Sequence, residues 1–449
     1  TVAALSSFAR THPRPIRRRI PEVHTPPIRR SIAVIGSGVA GLTAAHTLAK
    51  RDHVTLFEAD DRLGGHAHTH HVDGGDGSVV AVDSAFLVHN DRTYPTLCRL
   101  FGELGVATRA TDMSMSVRCS RTGLEYAGAR GIGGLFPTPR NLGRPRYLAM
   151  LAEVTAFHRA ASRLLADERR DDEPLREFLT RHGFSAFFVE YFMTPLVAAV
   201  WSCPPAAALD YPARYLFTFL DHHGMLTVFG SPVWRTVIGG SVTYVDAIAA
   251  GLHEVHTDTP VRELRRGADG VEIRTDGAVR YFDAVVVATH ADQALRLLAN
   301  PTPTERAVLG AMPYTTSHAL LHTDDSVLPR HHRARASWNY LIDHHRDDVA
   351  VSYDVRRLMR LHTPRRFLVT LGPVDRVRAE CVLAEMTYRH PVYTTQSVAA
   401  QRLLPGLDDD SVAFAGAYHG WGFHEDGAVA GLRAAHRLRR DRDRIEIPA

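Results

Sequence analysis

Two periods of hydrophobic spacing alternate along the chain. Residues 31–35 (SIAVI) and 54–58 (VTLFE) are short apolar runs that predict buried strands, and residues 42–50 between them carry apolar positions at helical spacing. A glycine turn from Gly36 to Gly41 joins the first strand to the helix, so the stretch reads as a βαβ unit. From about residue 95 to 225 the spacing becomes three-to-four, in PTLCRLFGELG, PRYLAMLAEVTAFHRAASRLLA and EPLREFLTRHGFSAFFVEYF, which predicts a mostly helical insertion. Beyond it, IGGSVTYVDAIAAGL reads as a Gly-Gly turn and helix, and VRELRR, VEIRTDG, AVRYFD and AVVVATH as short strands that return the chain to the first unit. The runs SHALLHTD, DVAVSYDV and RFLVTLG predict a further sheet between residues 310 and 400, and the last segment reads as strand, loop and helix. The pattern predicts an α/β fold with two interleaved units. A Rossmann-type unit takes residues 31–90, 232–300 and 405–440, and an α+β unit takes residues 91–231 and 301–404.

Composition adds limits to this picture. A chain of 449 residues with 45% hydrophobic and 23% charged content can bury both cores and is not globally disordered. The net charge of +4 is uneven, because residues 1–30 hold seven arginines against one acid, Glu22, which leaves the remainder slightly negative. Such a remainder offers no extended phosphate-binding face, and nucleic acid is not an expected partner. The Pro- and Arg-rich leader is expected to be mobile, and its charge suits a peripheral contact with anionic lipid. Arg29 and Arg30 before an apolar stretch imitate a twin-arginine signal, but the 19 residues that follow contain three Gly with Ser, Thr and His, too polar to span a membrane. Cys98, Cys119, Cys203 and Cys381 lie far apart with no C-x-x-C pair, so a disulfide framework and a zinc site are not indicated, and a reducing cytoplasmic location is expected.

The glycine turn carries the first candidate chemistry. Gly36, Gly38 and Gly41 form G-x-G-x-x-G between a strand and a helix, with Ser37, Val39 and Ala40 filling the turn. The first glycine permits the turn, the second lets backbone amides approach a pyrophosphate, and the third lets helix pack on strand. Phosphates then sit at the helix N-terminus, where free N–H groups and the dipole favour negative charge. Glu58 ends the next strand 17 residues after Gly41, where a carboxylate accepts ribose hydroxyls, which disfavours NADP and leaves NAD and FAD open.

The next residues decide between them. Glu58, Ala59, Arg62, Gly64, Gly65 and His66, in EADDRLGGH, resemble the E-A-x-x-R-x-G-G-R signature of the flavin amine-oxidase and phytoene-desaturase superfamily, with His66 where that signature has arginine. The resemblance runs from about residue 31 to 440 and implies FAD on a glutathione-reductase-like domain. It implies that Arg62, Gly64 and Gly65 wrap the pyrophosphate, that Asp83 in VDSAFLVHN lies on the strand entering the flavin ring region, and that the Val261 backbone contacts adenine. It places Ala288 and Thr289 on the second dinucleotide strand, and Gly416 and Ala417 of FAGAYHGWGFHEDGAVAGLRAA beside the pyrophosphate and ribityl chain. Phe423, Glu425 and Asp426 then lie where a helix N-terminus faces the flavin's pyrimidine oxygen.

Many amine oxidases of this superfamily keep a lysine against the flavin, whereas the only lysine here is Lys50, at the far end of the dinucleotide helix. Apolar and aromatic stretches at 191–201 and 211–229 suit a pocket for a lipophilic substrate, and the chain is similar to bacterial flavoproteins associated with cyclopropane or methyl-branched fatty-acid synthesis. The expected function is FAD-dependent redox, desaturation or isomerisation chemistry on a fatty-acyl or isoprenoid-like chain. Its rivals are an amine oxidase without the usual lysine and a lipid-binding or escort protein on the same fold. Candidates for acid–base work or for walling the flavin are His222, His223, Tyr418, Trp421 and His424. His66, His68, His70 and His71 alternate along an extended segment, but no supporting carboxylate is near, and a metal is not expected. The His-His pairs at 331 and 344 read as solvent-facing.

Overall fold

The computed structural model describes residues 29–167, 172–227, 230–343 and 350–439; the leader through residue 28, the pair His344 and His345, and the end of the 211–229 stretch lie outside the described residues. A five-stranded parallel sheet forms the first unit, in the spatial order Glu254–His256, His53–Phe57, Ser31–Ile35, Ala284–Val287, Val412–Phe414. The strands His53–Phe57, Ser31–Ile35, Ala284–Val287 and Val412–Phe414 are mostly apolar because both faces are covered, while the edge strand Glu254–His256 is polar and partly exposed. Ile32, Val34, Leu56 and Val286 point toward the helices Val39–Ala49 and His424–Leu438, while Ala33, Ile35, Val285 and Phe414 point toward an antiparallel meander of residues 261–282 and the helices Ala291–Leu297 and Pro303–Gly310. The two helices on the first face touch through glycines. A Cβ on Gly427 would lie 2.6 Å from Val39 Cγ1, and one on Gly431 would lie 2.1 Å from the Ala40 carbonyl oxygen.

The second unit is a seven-stranded sheet, ordered Val382–Pro391, Tyr314–His322, Leu368–Leu371, Val351–Asp354, Trp338–Ile342, Met115–Cys119, Glu125–Gly128, with helices of the insertion packed on it. Helix Pro145–Ala166 centres that core on Phe157, whose ring lies within 6.5 Å of Phe178, Phe188 and Phe217. Among the described residues no helix is long and apolar enough to cross a membrane.

The expected boundaries at 91 and 301 are corrected. Helix Pro95–Leu104 places Leu97, Leu100 and Phe101 in the core of the parallel sheet, and strand Thr108–Ala110 pairs with Trp234–Val237, so the first unit runs on to about residue 111. Helix Pro303–Gly310 likewise packs Val308 and Leu309 on the meander side of that sheet. An amphipathic helix shows which face it buries but not against what. The stretch read as mostly helical also contains Met115–Cys119 and Glu125–Gly128. The former is held by parallel pairing to Trp338–Ile342, far along the chain.

Candidate active site

The strands of the parallel sheet end on one edge, and the residues that follow those ends build the site. Gly36 follows Ile35, Glu58 follows Phe57, Ala288 and Thr289 follow Val287, and Gly416 and Ala417 come just after Phe414. Ser31–Ile35 is the strand from which the chain order diverges, and open parallel sheets take ligands in the crevice beyond such a point.

The glycines there have separable causes. Gly36 sits at φ +98°, and a Cβ on it would lie 2.7 Å from the Ala288 carbonyl oxygen. A Cβ on Gly41 would lie 1.9 Å from the Gly36 carbonyl oxygen, whereas one on Gly38 would meet nothing within 4 Å. The protein's own packing therefore requires Gly36 and Gly41, while Gly38 faces open space that a ligand can enter. Helix Val39–Ala49 begins here with no capping side chain and no acid in its first turn, which leaves its positive end to an anion.

Glu58 folds back on this turn. Its Oε2 accepts the Ser37 amide at 2.8 Å and its Oε1 accepts the amides of Ala59 at 2.7 Å and Asp60 at 3.1 Å. The Arg62 to Gly65 loop lies against the turn, with the Gly64 amide donating to Ser37 Oγ at 3.0 Å and a Cβ on Gly65 falling 3.2 Å from Gly38 Cα. Val261 opens the meander shortly after the strand Glu254–His256. Asp83 is buried and structural. It accepts the Ser241 amide at 3.0 Å and the Thr69 hydroxyl, and burial pushes its carboxyl up to about 6.

His66 brings residues together that sequence spacing did not show. Its ring lies 5.0 Å from Tyr388, 5.3 Å from His390 and 6.2 Å from His290. Burial holds His66 well below an ordinary histidine and pushes His290 and His390 down to about 4, so all three are neutral near pH 7. His66 Nε2, His290 Nδ1, His390 Nδ1, the Tyr393 hydroxyl, the Trp421 indole nitrogen and His424 Nε2 are buried with no partner among the described residues. Buried polar atoms are almost always hydrogen-bonded, and this set, between the glycine loops and the closing loop, fits a ligand rich in donors and acceptors. His68 and His70 are spoken for. His68 Nδ1 bonds the Tyr388 hydroxyl at 3.0 Å, His70 Nε2 bonds Ser84 Oγ at 2.9 Å, and Ser84 meets Tyr388 at 2.7 Å.

The closing loop divides its residues between site and scaffold. Asp426 is buried at the start of helix His424–Leu438, accepts the Phe423 amide at 2.9 Å, and burial raises its carboxyl to about 7. Glu425 turns away: its two oxygens accept the Thr96 and Leu97 amides at 2.8 and 2.9 Å, capping helix Pro95–Leu104, so only its backbone is left for a ligand. Trp421 and Phe423 join Trp201, Tyr215, Phe219 and Tyr393 in an aromatic wall, with Phe219 and Phe423 stacked at 4.9 Å and Tyr215 5.0 Å from Tyr393. The insertion grips this loop through Trp201 Nε1, which donates to the Trp421 carbonyl at 3.0 Å, and the Tyr215 hydroxyl, which donates to the Gly420 carbonyl at 2.7 Å.

Three of the acid–base candidates are corrected. Tyr418 lies in the core behind the sheet with Phe414, Leu404 and Met312, because the helical turn Ala417–His419 rotates it away from the crevice. His223 is a core residue: its Nδ1 meets the Phe219 carbonyl at 2.9 Å, its ring packs 4.0 Å from Phe219, and burial lowers it to about 4. His222 is exposed at the end of its helix, 5.5 Å from Trp421. His424 is buried and stacked 3.7 Å from Phe86, with its pKa lowered to about 3. Sequence reasoning missed Tyr388, His390, Tyr393 and Gln401, whose amide bridges the Tyr418 and Gly420 carbonyls, each at 2.7 Å. His290 ends the AVVVATH run and was the one visible signal.

A parallel-sheet crevice with a glycine turn, a carboxylate beside it and a second set of loops from the far end of the chain defines a dinucleotide-binding oxidoreductase class. The chain belongs to the flavin containing amine oxidoreductase family, which matches residues 39–336, and its cofactor is FAD. Coproporphyrinogen III oxidase of Mycobacterium leprae (strain TN) is 29% identical over 293 residues, 61% of this chain and 62% of that protein. Carotenoid phi-ring synthase of Streptomyces griseus is 27% identical over 289 residues, 60% and 54% of the two chains. The chain thus spans about three-fifths of the length of the curated relatives it matches. Among solved structures, a CLA-producing fatty acid isomerase from P. acnes shares the fold with a TM-score of 0.65 at 17% identity, covering 90% of this chain and 97% of that one.

Proposed function

We propose that the protein exchanges a hydride between FAD and a lipophilic substrate, in redox, desaturation or isomerisation chemistry on a fatty-acyl or isoprenoid-like chain. The observation that carries this reading is the aromatic wall of Trp201, Tyr215, Phe219, Tyr393, Trp421 and Phe423, built jointly by the insertion, the segment after strand Val382–Pro391 and the closing loop. Lys50 is held by Glu103 at 2.7 Å at the far end of a helix about 16 Å long, so no lysine serves the flavin. A relative named for carotenoid ring synthesis is in keeping with an apolar substrate.

FAD supplies two-electron hydride transfer. The amides at the start of Val39–Ala49 would take the pyrophosphate with Arg62 and the Gly64 and Gly65 backbone, and Glu58 would take the ribose. The aromatic wall would exclude water and align an extended apolar chain, and His424, neutral because buried, would present Nε2 as a hydrogen-bond acceptor or donor. Replacing Glu58 with Gln is expected to weaken FAD binding about tenfold to a hundredfold, the range for losing a charge-assisted hydrogen bond, measured by quenching of flavin fluorescence on the apoprotein.

The substrate class is tested by anaerobic titration of the yellow protein. Bleaching of the flavin band by fatty-acyl lipids is the expected result. Bleaching by amines alone, with matching oxygen uptake, would assign an amine oxidase that works without lysine. A colourless protein that FAD cannot reconstitute would point to a lipid-binding protein instead.

A further inference from the structure

A face of the insertion combines exposed aliphatic side chains with positive charge, most of it without an acidic partner. From Tyr126 to Ala152 the chain contains Arg130, Arg140, Arg144 and Arg146 and no acidic residue. Within it Ile132 is 79% exposed, Leu142 61% and Leu148 40%. Single exposed aliphatics are ordinary on soluble proteins. These three, however, stand on consecutive short elements, Gly131–Leu135, Pro139–Gly143 and the first turn of Pro145–Ala166, that are tied at one point. The Leu135 carbonyl accepts both Asn141 Nδ2 at 3.2 Å and the Tyr147 hydroxyl at 2.8 Å, and the Phe136 and Tyr147 rings lie 6.0 Å apart.

A second basic segment is drawn to the same place. The buried carboxylate of Glu125 accepts the amides of Arg330 at 2.9 Å and His331 at 3.0 Å, at the strand that leads into Gly131–Leu135. A Cβ on Gly133 would lie 3.9 Å from Arg333 Cδ, so the exposed run Arg330, His331, His332, Arg333 borders Ile132. Among the described residues Arg140, Arg146, Arg330 and Arg333 enter no ion pair, while Arg130 reaches Asp112 at 3.4 Å.

We propose that this face docks the protein on an anionic lipid bilayer, with Ile132, Leu142 and Leu148 entering the headgroup boundary and the arginines meeting lipid phosphates. Guanidinium groups match phosphate oxygens geometrically, and an apolar edge rimmed by cations gains from both burial and charge at such an interface. Aliphatic side chains that project outward rather than line a groove favour a fluid surface over a folded partner. The inference goes beyond the redox reading and stands without it.

The test is co-sedimentation of the FAD-loaded full chain with mixed phosphatidylglycerol and phosphatidylcholine vesicles, against phosphatidylcholine alone. A form lacking residues 1–28 is run in parallel, because the leader carries arginines of its own. Binding to the anionic vesicles is expected to survive removal of the leader. The double variant Arg140→Gln, Arg146→Gln should partition about thirtyfold more weakly, the loss that two charges carry at an anionic surface. The double variant Ile132→Ser, Leu142→Ser should bind less even at high salt, where charge is screened. Unchanged flavin absorbance and melting temperature will show both variants folded, which their exposure favours. Absence of binding, variants that sediment like the parent, or binding lost with the leader alone would overturn the proposal. Sensitivity to the arginine pair but not to the aliphatic pair would also overturn it, in favour of an acidic macromolecule.

Discussion

Lowering the pH from 7 to about 4.5 is expected to unfold the protein steeply, with more protons bound by the unfolded than by the folded chain near pH 5. Burial pushes His68, His419 and His424 down to about 3, and His89, His223, His290, His322 and His390 to about 4. In the unfolded chain each titrates near 6.5. A histidine whose folded pKa is depressed contributes stability that is present above the unfolded value and lost as the pH falls below it. The most strongly raised carboxylates oppose this: burial raises Asp83 and Asp408 to about 6 and Asp426 to about 7, and Glu425 in the same direction, so the folded chain takes up their protons first and gains from acidification over the same window. Eight histidines outweigh these carboxylates, and the sum leaves acid instability. Denaturant midpoints followed by circular dichroism at successive pH values, with and without saturating FAD, measure the slope. A midpoint unchanged between pH 7 and 4.5 would show that these rings find charged partners on folding.

Gly41→Ala and Gly38→Ala are expected to separate packing from binding, although both alter the same motif. A Cβ on Gly41 would stand 1.9 Å from a backbone oxygen that cannot move without parting the first helix from its strand. Overpacking of this kind costs about 1–3 kcal/mol or more, so the apoprotein should melt several degrees lower and bind FAD poorly as a consequence. A Cβ on Gly38 meets no protein atom, so that apoprotein should melt like the parent, while FAD affinity falls about tenfold or more because the methyl occupies the approach of the pyrophosphate. Calorimetry on the apoproteins and fluorescence titration with FAD distinguish the two. Equal loss of apoprotein stability in both variants would remove Gly38 from the binding surface.

The parallel sheet was legible in the sequence because its strands are buried on both faces, so SIAVI and AVVV are continuous apolar runs, and because a glycine turn and a carboxylate sit at their ends. What depends on pairing across the chain was not. Met115–Cys119 becomes a strand only because Trp338–Ile342 lies beside it, and His66 meets His290 and His390 across gaps of hundreds of residues. Tyr418 and Trp421 share one loop and one composition, yet a single helical turn sends the first into the core and leaves the second on the aromatic wall. The family resemblance supplied the cofactor; the side chains that could serve a substrate had to be read from contacts.

The glycine contact between Val39–Ala49 and His424–Leu438 has a consequence for biosynthesis. The helix that opens the nucleotide turn, Val39–Ala49, leaves the ribosome long before the helix that packs on it at Gly427 and Gly431, His424–Leu438. Everything between the two helices must therefore be made before the pair can close, and until then the nascent chain holds an open half-site. Flavin capture must wait for the second helix, so yellow colour in a preparation reports chains that extend through Leu438, and fragments that stop short of His424 stay colourless however much FAD the cell contains.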